Sequence, residues 1–406
     1  MANTILTPTA VTREALRILH QKLNFVGNVV REYDSSFAKS GAKIGDSLKI
    51  RLPNQYTVRT GATLNTQDTT ESSVTLQVAT QKGVDINFSS AELTMDLDDF
   101  SDRILEPAMS VLGANIENDA LSMYKDVHNE ISDVGASMAF MDVMNANKVL
   151  TDELAPYSQR TLLLHTQANV DLVDALKGLY NDQTKVGKNY REGRVASNFA
   201  GFSDIYENTM MPTHTVGTDD GTGDYQVNDA GTIAEGSTSI TVDTGAGTWK
   251  VGDIFSFDSV NRVHPETKAD TGKLARFTIT EAAAASATTI KFKPALYSSG
   301  AKQNVSAMPA NNAKLNKLES DASTAVGNAA DYQISMGFHK DAFAFATADL
   351  VMPNGVDFAA REVMDGISMR IVRDYDINND KFPCRIDVLY GYKAIRPELA
   401  CRIGVN

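Results

Sequence analysis

The longest run of helical spacing lies between Asp99 and Ile131. Leu105, Met109, Leu112, Ile116, Ala120, Met123 and Val127 recur every three or four residues, which sets them along one face of a helix. Ser110, Glu117, Asn118, Lys125 and Asn129 fall on the opposite, polar face. Pro107 either opens this helix, where its missing N–H costs nothing, or kinks a longer one. Gly113 inside the pattern costs about 1 kcal/mol against Ala, so tertiary packing must hold it. The pattern by itself describes an ordinary core helix, with strand-like segments on both sides.

Upstream, Ala15, Leu16, Ile18, Leu19, Leu23, Phe25 and Val26 give a weaker amphipathic helix after a polar tail. An arm this short has no core of its own and must pack on something else. Over residues 41–88 the period changes to two. Leu48, Ile50 and Leu52 alternate with Lys49 and Arg51, and Val74, Leu76 and Val78 alternate with Thr75 and Gln77. A polar stretch, Thr57 to Thr70, separates them, so the whole reads as a long hairpin with a wide tip. Isolated two-stranded ribbons are marginal in water. This one must lie on its own body or on a neighbour, and the pattern leaves both open. Its side carrying Lys49, Arg51 and Arg59 is basic within an acidic protein and favours an acidic surface.

Ser89 and Glu92 have capping-box spacing and predict a short helix. After the long helix, Met138–Leu150 has helical spacing and Arg160–His165 reads as a buried strand. A further helix runs from about Gln167 to Leu179, with Thr166 as cap and Gly178 near its end. Lys185, Lys188, Arg191 and Arg194 sit in a polar loop, and Val195–Thr215 reads as turn, strand and exit. From about Thr215 to Asn328 Thr, Gly, Asp and Ser dominate. Helical periodicity disappears there except at Ala282–Ala285. Short strands recur at Ser239–Val242, Ile254–Phe257, Ala275–Thr280 and Thr289–Phe292, which predicts a small barrel or sandwich inserted into one mixed domain. The return, Tyr332–Pro353, alternates and then turns short-helix-like at Asp341–Thr347. Strands at Gly366–Arg373 and Arg385–Tyr392, joined by the polar turn Asp374–Pro383, close the chain.

Composition narrows the function. A chain of 406 residues accommodates two or three domains. A formal net charge of −13 argues against a surface built mainly for nucleic acid, while leaving room for local basic patches. Cys384 and Cys401 do not make a disulfide framework, and a reduced cytosolic protein is the default. The start has no charged segment followed by an apolar run, and no apolar stretch is long enough to span a bilayer. The six histidines, His20, His128, His165, His214, His264 and His339, are scattered without metal-ligand spacing. Asp374–Phe382 looks superficially like a calcium loop, but Asn379 stands where glycine is needed and Arg385 where glutamate is. There is no Gly-rich phosphate loop and no G-x-S-x-G elbow. No catalytic, cofactor-binding or metal-binding residue is assigned.

Three stretches carry a resemblance. They are the turn Ala200-Gly201-Phe202-Ser203-Asp204, the Gly252-Asp253-Ile254-Phe255-Ser256-Phe257 strand, and Tyr390-Gly391 running into Ala394, Arg396, Pro397 and Glu398. In their order and spacing the chain resembles major capsid proteins of tailed bacteriophages, more narrowly the short-tailed Salmonella phage type with an inserted β domain. The resemblance implies an α+β, Hong Kong 97-like fold. Its parts would be an N-terminal arm (1–40), an extended β-hairpin loop (41–88) and a peripheral domain with the spine helix (89–136). An axial domain (137–214) would follow, then the inserted β domain (215–328), the axial return (329–365) and C-terminal peripheral strands (366–406). It favours the inter-subunit reading of the hairpin. It implies a virion protein, first present in host cytoplasm, that self-assembles as pentamers and hexamers into an icosahedral shell. Its partners would be a separate scaffolding protein, a portal protein and packaged double-stranded DNA held without sequence-specific binding. A decoration protein stays open, and no membrane is involved. The Lys185–Arg194 cluster reads as a solvated loop or as a contact to DNA on the inner wall. Candidate inter-subunit residues are Lys49, Arg51 and Arg59 on the hairpin, and Asp224, Asp229 and Glu235 in a polar loop of the inserted domain. A tail component and an enzyme with an accessory β domain are the alternatives.

Overall fold

The structure, a computed structural model, describes residues 8–34, 47–64, 66–68, 71–88, 104–132, 134–176, 199–218, 225–229, 231, 233–318, 331–364, 366–377 and 381–405. The helix expected at Ser89–Glu92, the Lys185–Arg194 cluster and Asp224 lie outside these residues.

In chain order the elements begin with α1 (Pro8–Lys22), β1 (Val30–Asp34), β2 (Ser47–Arg51), β3 (Ser73–Gln77), β4 (Thr80–Phe88) and α2 (Glu106–Leu121). They continue with β5 (Glu130–Ser132), α3 (Phe140–Asp152), β6 (Arg160–Leu164), α4 (Thr166–Leu176), β7 (Asp204–Glu207) and β8 (Thr213–Thr215). The Thr- and Gly-rich region holds β9 (Gln226–Val227), β10 (Ser237–Asp243), β11 (Ile254–Phe257) and β12 (Asn261–Val263). It goes on through β13 (Asp270–Leu274), β14 (Phe277–Ile279), β15 (Thr289–Leu296) and β16 (Leu315–Lys317). The last strands are β17 (Asp331–His339), β18 (Phe343–Ala348), β19 (Phe358–Met364), β20 (Ile367–Arg373), β21 (Phe382–Ala394) and β22 (Ala400–Val405).

Contacts divide the chain into two compact units. The first comprises Met1–Leu52, Ser73–Leu121 and Phe343–Ile395. Its sheet has the order β1-β18-β21-β20-β19, with β4 also paired to β21. The apolar face of α1 (Val11, Ala15, Leu16, Ile18, Leu19) is buried, as are Met109, Leu112, Ile116 and Ala120 of α2. Glu117, expected on the polar face of α2, is also buried. Its carboxylate accepts the backbone N–H groups of Phe25 and Val26, which open a 3-10 turn that has no side-chain cap of its own. The short helix expected at Asp341–Thr347 is a 3-10 turn, Lys340–Ala342, followed by strand β18. That strand lies between β1 and β21 and is buried on both faces, so its sequence runs apolar without alternating.

The second unit comprises Pro53–Ser72, Ser122–Ala342 and Arg396–Asn406. One sheet here has the order β5-β22-β17-β6-β7, with β8 on β17. The boundary expected at 365 therefore falls inside one sheet, between the paired strands β19 and β20. The C-terminal strand β22 joins β17 and β5 instead of β20 and β21. The helix expected to reach Val127 changes at Leu121 into a 3-10 turn, Ser122–Asp126. There the hydroxyl of Thr278 donates to the carbonyl of Lys125 at 2.9 Å, which satisfies a terminal acceptor that helix continuation would have used.

The Thr- and Gly-rich β region is a barrel. Its strands run β16-β11-β14-β15-β10-β9, and the circle closes through Leu315 N–H to Tyr225 O and Val227 N–H to Ala313 O, both between 2.8 and 2.9 Å. Phe255, Phe257, Phe277 and Phe292 fill its centre with mostly edge-to-face contacts. Ala282–Ala285 is not helical. Ala283 and Trp249 instead exchange both backbone hydrogen bonds as an isolated bridge.

Candidate assembly surfaces

The hairpin pairs β2 with β3 in the register Lys49↔Thr75 and Arg51↔Ser73. Alternation turns Leu48, Ile50 and Leu52 to one face and the exposed Lys49 and Arg51 to the other. The apolar face packs, with Leu76 and Val78, on Ala344, Ala346 and Ala348 of β18. Those alanines are the small half of the Phe-Ala-Phe-Ala-Thr-Ala run, and its phenylalanines face elsewhere, Phe343 meeting Phe25 edge to face. Small residues let the hairpin base lie close. At Gly391 an added Cβ would stand 2.1 Å from the carbonyl oxygen of Gln77, so only glycine admits this approach. The base of the hairpin is thus seated on its own sheet.

The tip, residues 53–64, carries exposed side chains and no strand. Tyr56, Val58 and Leu64 are 56%, 94% and 77% exposed. The tip is tied by polar contacts within itself. Thr57 N–H and Oγ1–H both donate to Gln67 Oε1, at 2.9 and 3.0 Å, and Gln67 Nε2 donates back to Thr57 O at 2.6 Å. The Arg59 guanidinium donates to the carbonyls of Gly61 and Thr63.

In the barrel loop, Asp229 Oδ1 accepts from Gly231 N–H, and Asp229 N–H donates to Asn311 Oδ1. Exposed Glu235 accepts from Ser298 N–H and from the hydroxyls of Ser298 and Ser299 at 2.8–2.9 Å. Slight burial pushes its carboxyl upward, but these donors outweigh that and hold it below the usual carboxylate range. Of these candidates, Lys49 and Arg51 lie on strand β2, Arg59 is held within its own turn, Asp229 by Gly231 and Asn311, and Glu235 by Ser298 and Ser299.

Sequence reading passed over the network around His214. With Nε2–H donating to Asp253 Oδ1 at 2.9 Å, Nδ1 accepts the Tyr124 hydroxyl at 3.1 Å. Asp253 Oδ2 also accepts Gly217 N–H and Lys250 N–H. Lys317 Nζ donates to the carbonyls of Gly217 and Thr248 and lies 4.3 Å from the Trp249 ring centroid. Together these fix the incoming strand β8 to the barrel. The signal lay in the Lys250-Val251-Gly252-Asp253 turn, where Gly252 has φ +99° and packs on His214 and Lys125. Tyr124, His214 and Asp253 are all buried, and burial raises the Tyr124 hydroxyl pKa. Nearby, Arg402 Nη2 meets Glu130 Oε2 at 2.6 Å with both side chains fully buried. The thiols of Cys384 and Cys401 are pushed by burial up to about 12, far from a reactive thiolate. Among the described residues no three acidic, His or Cys side chains gather to hold a metal ion.

The Tyr124–His214–Asp253 network is enclosed, and the hairpin carries exposed cationic and apolar side chains. A family model described as "P22 coat protein - gene protein 5" matches residues 11–405, and the chain belongs to that family. It is a major capsid protein whose copies build a bacteriophage shell, and its α+β architecture fits the Hong Kong 97-like fold. Among solved structures it is similar to that of Mycobacterium phage Che8, at 11% identity over 93% of this chain and 90% of that one, with TM-score 0.42. It is similar to the bacteriophage PhiM1 mature capsid, at 10% identity over 95% and 87%, with TM-score 0.44. It is also similar to the CUS-3 coat protein I-domain, at 26% identity over 26% of this chain and 95% of that one, with TM-score 0.18. A comparison with curated proteins gave no match.

Proposed function

We propose that the hairpin is the arm by which each copy grips the next in the shell. The observation that carries this reading is its division into a base seated on β18 and a tip whose side chains stay in water. Lys49, Arg51 and Arg59 give the arm a positive side, and a chain of net charge −13 offers acidic surface on the neighbouring copy. Contacts of this heterologous kind form rings when the rotation closes, here pentamers and hexamers of an icosahedral shell. The extended loop takes residues 41–88, the part with the spine helix 89–136, the axial part 137–214 and the inserted part 215–328, while β19 and β20 stay together in one sheet and β22 packs beside β17. Asp224, Asp229 and Glu235 mark the barrel loop as a contact between capsomers. A scaffolding protein guides closure in the host cytoplasm, a portal admits double-stranded DNA held without sequence recognition, and a decoration protein binds the finished particle where one exists. The role is association, not catalysis.

Replacing residues 55–68 by a short Gly-Ser turn, or reversing Arg51→Glu with Arg59→Glu, is expected to leave the subunit folded and abolish closed shells in electron micrographs. Normal shells from either variant reject the arm. Deleting 229–235 and recovering closed shells at normal yield rejects the capsomer contact.

A further inference from the structure

We propose that Asn354 is a site of spontaneous covalent modification. Its side chain and the backbone of Gly355 close to a succinimide, which water opens to isoaspartate or aspartate. The connection between β18 and β19 thereby gains a carboxylate.

The reaction needs an asparagine side chain that the next backbone nitrogen can reach, and Asn354-Gly355 is the single Asn-Gly pair in the sequence. The pair lies in the connection 349–357, and both residues are exposed. No hydrogen bond among the described residues engages either of them. Gly355 has φ +86°, a conformation that residues with a Cβ rarely adopt, and a Cβ placed there would meet no atom within 4 Å. The bend thus calls for glycine, the residue whose amide nitrogen is least shielded. Other asparagines are tethered. Asn304 accepts from Tyr297 N–H and donates to Ala295 O, and Asn261 donates to Asp270. Such a side chain must first give up its bonds before it can react.

The ends of the connection are fixed. Arg361 pairs with Asp349 at 3.3 Å, Arg370 Nη1 donates to Val351 O at 2.6 Å, and Arg373 pairs with Asp357 at 2.8 Å. Asn354 and Gly355 stand between these anchors and are free to turn towards each other.

The Gly355 nitrogen loses its proton to hydroxide and attacks Cγ of Asn354. A C–N bond forms, the bond to the side-chain nitrogen breaks, and that nitrogen leaves as ammonia. Water then opens the ring. Cleavage at Cγ gives aspartate, and cleavage at the backbone carbonyl gives isoaspartate, with the chain running through Cγ. Either product makes the subunit one charge more negative. Because the anchors lie outside the pair, the change is confined to the connection and leaves the sheet in register.

The test holds freshly purified full-length subunit at physiological temperature in mildly alkaline and in mildly acidic buffer, with a urea-unfolded sample alongside. Rapid acidic digestion and mass spectrometry with electron-transfer fragmentation read the products. The peptide carrying Asn354 is expected to gain the mass difference between an amide and an acid, with isoaspartate in excess and faster accumulation in alkali. The folded chain should react within about tenfold of the unfolded chain. Asn354→Gln, whose longer side chain requires a larger ring, should stay unmodified and keep the wild-type urea midpoint. Protection of Asn354 in the folded chain by more than about tenfold overturns the proposal, since the fold then shields the pair. So does earlier reaction at another asparagine. Aspartate without isoaspartate overturns the succinimide route, and a lower urea midpoint after full conversion overturns the confinement of the change to the connection.

Discussion

At the scale of single residues, the decisive positions are buried charges that composition hides. The Arg402–Glu130 pair sits where neither charge reaches water. A buried pair tolerates joint replacement far better than the loss of one member, because a lone charge is left uncompensated. Arg402→Met is therefore expected to lower stability by about 3–5 kcal/mol in urea titrations, and adding Glu130→Leu to recover most of it. His128 gives a pH dependence. Burial and the nearby Arg262, Arg402 and Arg276 lower its pKa from 6.5 to about 4. The unfolded chain thus takes up a proton that the folded chain refuses. Stability holds above pH 6.5 and is lost as pH falls from 6.5 towards about 4. His165 and His339, lowered mainly by burial, act in the same direction. Denaturant midpoints at pH 7, 5.5 and 4.5 should fall for the wild type and fall less for His128→Asn.

At the scale of elements, two attachments organise the chain. The hairpin base depends on the alanine face of β18, so Ala346→Leu is expected to overpack that seat at a cost of about 1–3 kcal/mol, read as a lower melting temperature. The barrel depends on Asp253, whose carboxylate serves His214, Gly217 and Lys250 at once. Asp253→Ala leaves three buried or half-buried donors without that acceptor, at about 1–3 kcal/mol for each donor left unsatisfied. Amide exchange at 213–218 should quicken before the aromatic core of the barrel loosens. The elements differ in how well their sequence announced them. β2 and β3 alternate because one face is packed and the other wet, and that period is visible in one dimension. β18 has no wet face, so Phe343–Ala348 shows no period, and its propensities were free to suggest a helix. Glu117 was equally hidden, since its partners are two amides ninety-one and ninety-two residues away.

At the scale of the whole molecule, a subunit at −13 repels its copies. Contacts that become buried are screened less than exposed charge. Raising ionic strength from about 0.01 M to about 0.15 M shortens the screening length from about 30 Å to about 8 Å, so light scattering should show assembly at lower protein concentration. Much of this protein was determined by its sequence alone. The spine-like helix, the hairpin of period two, the short strands of the Thr- and Gly-rich region and the family motifs are local patterns, and local patterns survive in a linear reading, whereas the closing of those short strands into a barrel and not a sandwich came from tertiary hydrogen bonds. Three further matters were decided only by tertiary structure. They are which half of the hairpin is seated and which is exposed, the joining of β22 to β17, and the gathering of Tyr124, His214 and Asp253. Each depends on residues tens to hundreds of positions apart, whose meeting no periodicity encodes and only the burial of a common core enforces.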